Sequence, residues 1–87
     1  MAEWDVIADE YYDYIDGSPL RVHVKAVRRM DVEAKPLVFV RLAFPDEFGR
    51  YVDSHRSAFP ASSEGLRAIA RALEQFAAVL EKKKAKR

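Results

Sequence analysis

The sequence predicts an α+β domain: an N-terminal helix, three or four antiparallel strands, and a C-terminal amphipathic helix packed on one sheet face. Three observations carry that expectation. Residues 20–29, LRVHVKAVRR, alternate apolar and basic side chains with the period of a half-buried strand. Residues 37–44, LVFVRLAF, continue the same period. After PASSEG, apolar residues recur at helical spacing as far as Leu80.

The first element, AEWDVIADEYYDYIDG, reads as a helix. At roughly 100° per residue, Trp4, Ile7, Ala8, Tyr11, Tyr14 and Ile15 share one arc, with Asp5, Asp9, Asp13 and Asp16 opposite. Val6 is the exception. Gly17 suits the position after a helix end, and Pro19 stops continuation. The rival is a strand at YYDYI, and the helical arc is the cleaner pattern. The first strand, 20–29, places Arg21, His23, Lys25 and Arg29 on one face. In the second, 37–44, Val38, Val40, Leu42 and Phe44 form one series and Leu37, Phe39, Arg41 and Ala43 the other. PDEFG turns the chain. A third strand at 50–59 is poorly patterned: Tyr51, His55 and Phe59 share one face, Arg50, Val52, Arg56 and Ala58 the other. The pattern does not settle which points inward. In the last helix Ser62 or Ser63 is the expected N-cap and Glu64 suits the first turn. Leu66, Ile69, Ala70, Leu73, Phe76, Ala77 and Leu80 form its expected core stripe. Residues 1–81 make one domain, and 82–87 a basic tail.

Eighty-seven residues hold one small core, near the lower limit of independent stability. A homo-oligomer, dimer or larger, would relieve that limit. The absence of cysteine excludes disulfides, thiolate metal sites and cysteine catalysis. No apolar run spans a membrane and the first residues read as no signal peptide, so the expected location is the cytoplasm. Asparagine and threonine are absent and Gln75 is the one glutamine, a thermophile's bias. The formal charge of +1 hides segregation: residues 1–17 carry six acids and no Lys or Arg, and the remainder fifteen bases against eight acids. That asymmetry points to an anionic partner.

With helices on one face, the other sheet face stays open and should present Arg21, His23, Lys25, Arg29, Phe39 and Arg41, plus one set from the third strand. Fixed cations beside an aromatic ring hold phosphates and stack bases. The plainer reading is a solvated face whose charges discourage edge pairing. A third is that Leu37 and Phe39 bury against another chain. Phe48, in the turn, is a stacking tip or folds back onto the core. The aspartates of the first element match no calcium loop, and a solvated acidic face explains them better. Neither His23 nor His55 has a nucleophile–base signature near it, and no glycine-rich phosphate loop exists. No enzyme, metal or cofactor is expected.

The element order resembles the double-stranded RNA-binding domain. Where that family has a Gly-Pro-x-His loop and a Lys-Lys-x-Ala-Lys helix start, this chain has MDVEAKP and ASSEGLRAIA, and close membership is rejected. Basic, aromatic-dotted strands before an amphipathic helix are similar to small single-strand binders of the Pur-alpha type. Residues 4–80 resemble more closely the ThermoDBP-related archaeal single-stranded DNA-binding proteins. The likeness rests on size, composition, the acidic aromatic first element, RVHVKAVRR, VFVRLAF and the last helix. It implies sequence-tolerant binding of single strands, DNA ahead of RNA, by a homo-oligomer. On this reading Arg21, Lys25, Arg29 and Arg41 hold phosphates, Phe39 and Tyr51 stack on bases, and His23 and His55 complete the surface.

Overall fold

The computed structural model describes residues 3–31, 33, 36–54 and 62–85. Among these residues four strands precede one helix: β1 (Trp4–Asp13), β2 (Arg21–Arg29), β3 (Leu37–Pro45), β4 (Tyr51–Asp53) and α1 (Ser63–Ala85). The strands form one antiparallel meander in the order β1-β2-β3-β4, and α1 lies across β1 and β2 on one face. The α+β class therefore stands, but the first element is a strand and not a helix.

The pairing of β1 with β2 explains that correction. Aspartates spaced about four residues apart repel one another along a helix. In the strand, Asp5, Asp9 and Asp13 instead lie opposite Arg28, Lys25 and Arg21. Trp4, Val6, Ile7, Tyr11 and Tyr12 are also types that pack well on a pleated surface. The register shifts between Val6 and Ala8, so a bulge at Ile7 resets the alternation. Before it Trp4 and Val6 point to the open face; after it Asp9, Tyr11 and Asp13 do. That phase break disguised the period of two.

Gly17 serves the β1–β2 turn and not a helix end. Ser18 N–H donates to Ile15 C=O at 2.9 Å, and Gly17 has φ of 83°, the left-handed value a type II turn needs at its third residue. The β3–β4 turn is held by Asp46, whose carboxylate accepts from the N–H groups of Phe48 at 2.8 Å and Arg50 at 2.9 Å. Phe48 stands exposed at its tip, with the Arg50 guanidinium 5.4 Å from the ring centre.

The core lies between the sheet and α1, built from Ala8, Tyr14, Val22, Val24, Ala26, Ala68, Ala72 and Phe76. Ser62 caps the helix: its hydroxyl accepts from Gly65 N–H at 3.0 Å. The helix is rotated from the expected orientation. Gly65, Ala68, Ala72 and Phe76 face the sheet, whereas Leu66, Ala70, Leu73 and Ala77 are exposed and Ile69 and Leu80 half-buried. Small residues let the helix approach closely, and a Cβ on Gly65 would lie only 2.3 Å from the Tyr14 hydroxyl. The helix continues through residues 82–85, expected as tail. The third predicted strand is short, and its remainder, with His55 and Phe59, lies outside the described residues. No helix among the described residues is long and apolar enough to cross a membrane.

Candidate functional site

Alternation on β2 sends Val22, Val24 and Ala26 toward α1 and Arg21, His23, Lys25, Val27 and Arg29 to the open face. Register then fixes the neighbours. Across from β3, Phe39 lies opposite Lys25, Arg41 opposite His23 and Leu37 opposite Val27. From β1 come Trp4 opposite Arg29, Val6 opposite Val27, Asp9 opposite Lys25, Tyr11 opposite His23 and Asp13 opposite Arg21. From β4, Asp53 lies opposite Ala43, and Tyr51 opposite Pro45. The structure thus brings Arg21, His23, Lys25, Arg29, Phe39, Arg41 and Tyr51 onto one face; His55 lies outside the described residues. The basic residues expected on this face have acids beside them, because β1 and β4 supply Asp9, Asp13 and Asp53.

Those acids engage part of the basic series. His23 is buried, with Nε2 2.5 Å from an Asp9 carboxylate oxygen and Nδ1 2.7 Å from one of Asp53. Both nitrogens of the His23 ring are thus engaged by carboxylates. Tyr11 stacks on that ring, centroids 4.3 Å apart and planes 4° from parallel. Burial first, then the Asp53 and Asp9 charges, push the Tyr11 hydroxyl above its ordinary pKa. Arg21 donates through Nε to the Tyr51 hydroxyl at 2.9 Å and through Nη1 to Asp13 at 3.2 Å. Arg29 makes a two-pronged pair with Asp31, and its guanidinium carbon lies 6.0 Å from the centre of the Trp4 ring.

Lys25 and Arg41 differ. Neither has an ion pair or side-chain hydrogen bond among the described residues. Both line a concavity of about 510 Å³ on the open face, together with Trp4, Val6, His23, Val27, Phe39 and Asp53. Its size is that of a small-ligand site. Trp4 and Phe39 are each nearly half exposed, at 46% and 44%. Val6 and Val27 supply apolar surface between them, and Asp53 and His23 a polar edge. Such a surface can stack a flat ring and neutralise an anionic group attached to it. No cluster of His, Asp or Glu among the described residues could hold a metal ion.

Sequence reasoning missed Trp4, Val6, Asp9, Tyr11 and Asp53 as members of this face. The first four sat on the element read as a helix. The signal available for two of them was the Trp4-x-Val6 alternation, with Val6 already the misfit of the helical arc. Asp53 lay on the strand whose inward face the pattern left open.

The chain matches no family model, no curated protein and no solved structure.

Proposed function

We propose that the open face binds single-stranded nucleic acid, DNA ahead of RNA, without strong sequence preference. A base seats in the concavity against Phe39 and Trp4, and Lys25 and Arg41 hold the phosphates beside it. The observation that carries this reading is a pair of cations, unpartnered among the described residues, on an exposed aromatic and aliphatic hollow. Exposed aromatic faces suit splayed bases, which a duplex keeps stacked inside. The role is binding and not catalysis: His23, the natural acid–base candidate, has both ring nitrogens engaged by carboxylates.

Trp4 is the one tryptophan, so the protein carries its own reporter at the site. Titration with oligo-dT should quench its fluorescence, with affinity falling as salt rises. Two phosphate contacts give a log–log slope of about −1.4, at about −0.7 each for single strands. Duplex DNA of equal length should bind more weakly. Salt-independent affinity, or duplex binding as tight as single-strand binding, would defeat the proposal.

A second reading is favoured by the exposure of Val6 and Leu37, at 50% and 52%. Together with Trp4 and Phe39 they offer apolar area that a protein partner could bury, with Lys25 and Arg41 as rim. Salt-insensitive association with a protein and no response to oligo-dT would support it.

A further inference from the structure

The concavity on the open face holds one residue that phosphate binding does not explain. Asp53 lines it together with Lys25 and Arg41. A carboxylate there opposes a polyanion, because like charges repel at close range. Its position is nevertheless fixed by the fold. Asp53 starts on β4, opposite Ala43 of β3. From there its side chain reaches back over β3 to His23 of β2, where one carboxylate oxygen lies 2.7 Å from Nδ1. The His23 ring is itself held in place, by Asp9 at Nε2 and by the stacked Tyr11 ring. His23 lies opposite Arg41, and the next rung of the same face pairs Lys25 with Phe39. Rungs on one face are about 6.8 Å apart. The carboxylate therefore stands one rung from Phe39, at the edge of a flat group lying on that ring. The Asp53 side chain is 33% exposed, so a ligand can reach it.

We propose that Asp53 reads the edge of the base seated in the concavity and selects bases that carry an exocyclic amino group. The inference rests on the nucleic-acid reading and adds to it a preference at one seat. Cytosine, adenine and guanine each carry such a group. Thymine and uracil carry carbonyl oxygens and a ring N–H instead. A carboxylate has acceptors only. It takes an amino hydrogen in a charge-assisted hydrogen bond, as Asp does when it reads cytosine N4. Facing a carbonyl oxygen, it is stripped of water with nothing to bond.

The other lining groups cannot make this distinction. Lys25 and Arg41 have donors only, and they hold phosphates, which every nucleotide has. Trp4, Phe39, Val6 and Val27 offer apolar surface that accepts any ring. His23 has both ring nitrogens engaged by carboxylates. Among the described lining residues, Asp53 alone offers a side-chain acceptor to a ligand. The selection is confined to that one seat, so the strand as a whole is still read tolerantly.

Oligo-dC and oligo-dU of equal length test the selection. They share a backbone, both lack the thymine methyl, and they differ only at the amino edge. Above neutral pH and at one salt concentration, Trp4 quenching should show oligo-dC binding about tenfold more tightly. That is the lower end for a hydrogen bond to a charged group, because water reaches part of the carboxylate. Oligo-dC methylated twice at each N4 should fall to the oligo-dU affinity, a test that needs no variant protein. Asp53→Asn gives the base a donor as well as an acceptor, and should bring the dC-to-dU ratio close to one. Loss of a negative charge near the phosphates raises affinity for both strands alike, and the ratio cancels it. Asp9→Asn loosens the same His23 ring from its other nitrogen, but Asp9 does not line the concavity, so the ratio should persist. Equal affinities for oligo-dC and oligo-dU, or a ratio indifferent to N4 methylation, would overturn the proposal. So would a ratio that survives Asp53→Asn or one that Asp9→Asn abolishes. Failure of both strands to quench Trp4 is a separate result, which removes the nucleic-acid reading and this inference with it.

Discussion

The open face has two ends, and they treat the same kind of residue differently. At the β1–β2 turn end, Arg21 is held by Asp13 and Tyr51, and His23 by Asp9 and Asp53 under the Tyr11 ring. Around the concavity, Lys25, two residues beyond His23, and Arg41, opposite His23, lie beside Phe39, Trp4, Val6 and Val27 with no acid paired to either among the described residues. Both ends look equally basic along β2. The difference comes from the neighbouring strands: β1 and β4 bring carboxylates to one end, and β1 and β3 bring aromatic and aliphatic side chains to the other. A cation already neutralised inside the fold contributes to stability, and one left without a partner is available to a ligand. The network end is therefore the scaffold on which the concavity is held.

The strongest test of that division is to empty the network. His23→Ala leaves the Asp9 and Asp53 carboxylates without the ring that both engage. Removing one partner of a buried charged network is costly, up to 3–5 kcal/mol by order of magnitude. Both aspartates are partly exposed, at 43% and 33% of the side chain, so solvent screening reduces the loss to about 2 kcal/mol. In a domain of this size that lowers the melting temperature by roughly 10 °C. Adding Asp9→Asn should recover part of it. A thermal melt unchanged by His23→Ala would erase the distinction between the two ends.

The converse experiment empties the concavity. Phe39→Ala should weaken oligo-dT binding by about 5- to 150-fold, since a base–aromatic stack is worth roughly 1–3 kcal/mol. The ring is 44% exposed, so the melting temperature should move far less than for His23→Ala. A large loss of stability with unchanged affinity would mean that Phe39 belongs to the scaffold.

The finest test compares single cations. Lys25→Ala should make the salt slope shallower by about 0.7, one phosphate contact. Arg21→Ala, whose charge is engaged by Tyr51 and Asp13, should leave the slope nearly unchanged. Equal responses would show that internal pairing does not decide which bases a ligand meets.

These contrasts were only half visible in the sequence. The strands β2 and β3 were legible because each keeps one strict period, and the neighbourhood of Lys25 and Phe39 followed from it. The last helix was legible as an element but not in its rotation: its apolar residues span more than one face, and the sheet took the small ones, Gly65, Ala68 and Ala72. The first strand was hidden because Tyr11, Tyr14 and Ile7 satisfy a helical arc as well as a broken alternation, and the bulge at Ile7 shifts the phase midway. Losing β1 to a helix removed Asp9 and Asp13 from the open face, which made that face look wholly basic, and it removed Trp4 from the site. What a strand's polar side meets depends on register with partners distant in sequence, and composition does not encode register.

The bulge at Ile7 has one further consequence. It lies on an outer strand, where unpaired N–H and C=O groups invite the strand of a neighbouring molecule. There the Ile7 carbonyl accepts from Lys83 Nζ at 2.5 Å, across 76 residues of chain. The irregular backbone breaks the template that an incoming strand would copy, and the lysine occupies one of its acceptors. The last turns of the helix thus act as a guard on the margin of the sheet. A chain shortened before Lys83 would keep its hydrophobic core and yet expose a longer stretch of β1 to end-to-end sheet growth and fibre formation.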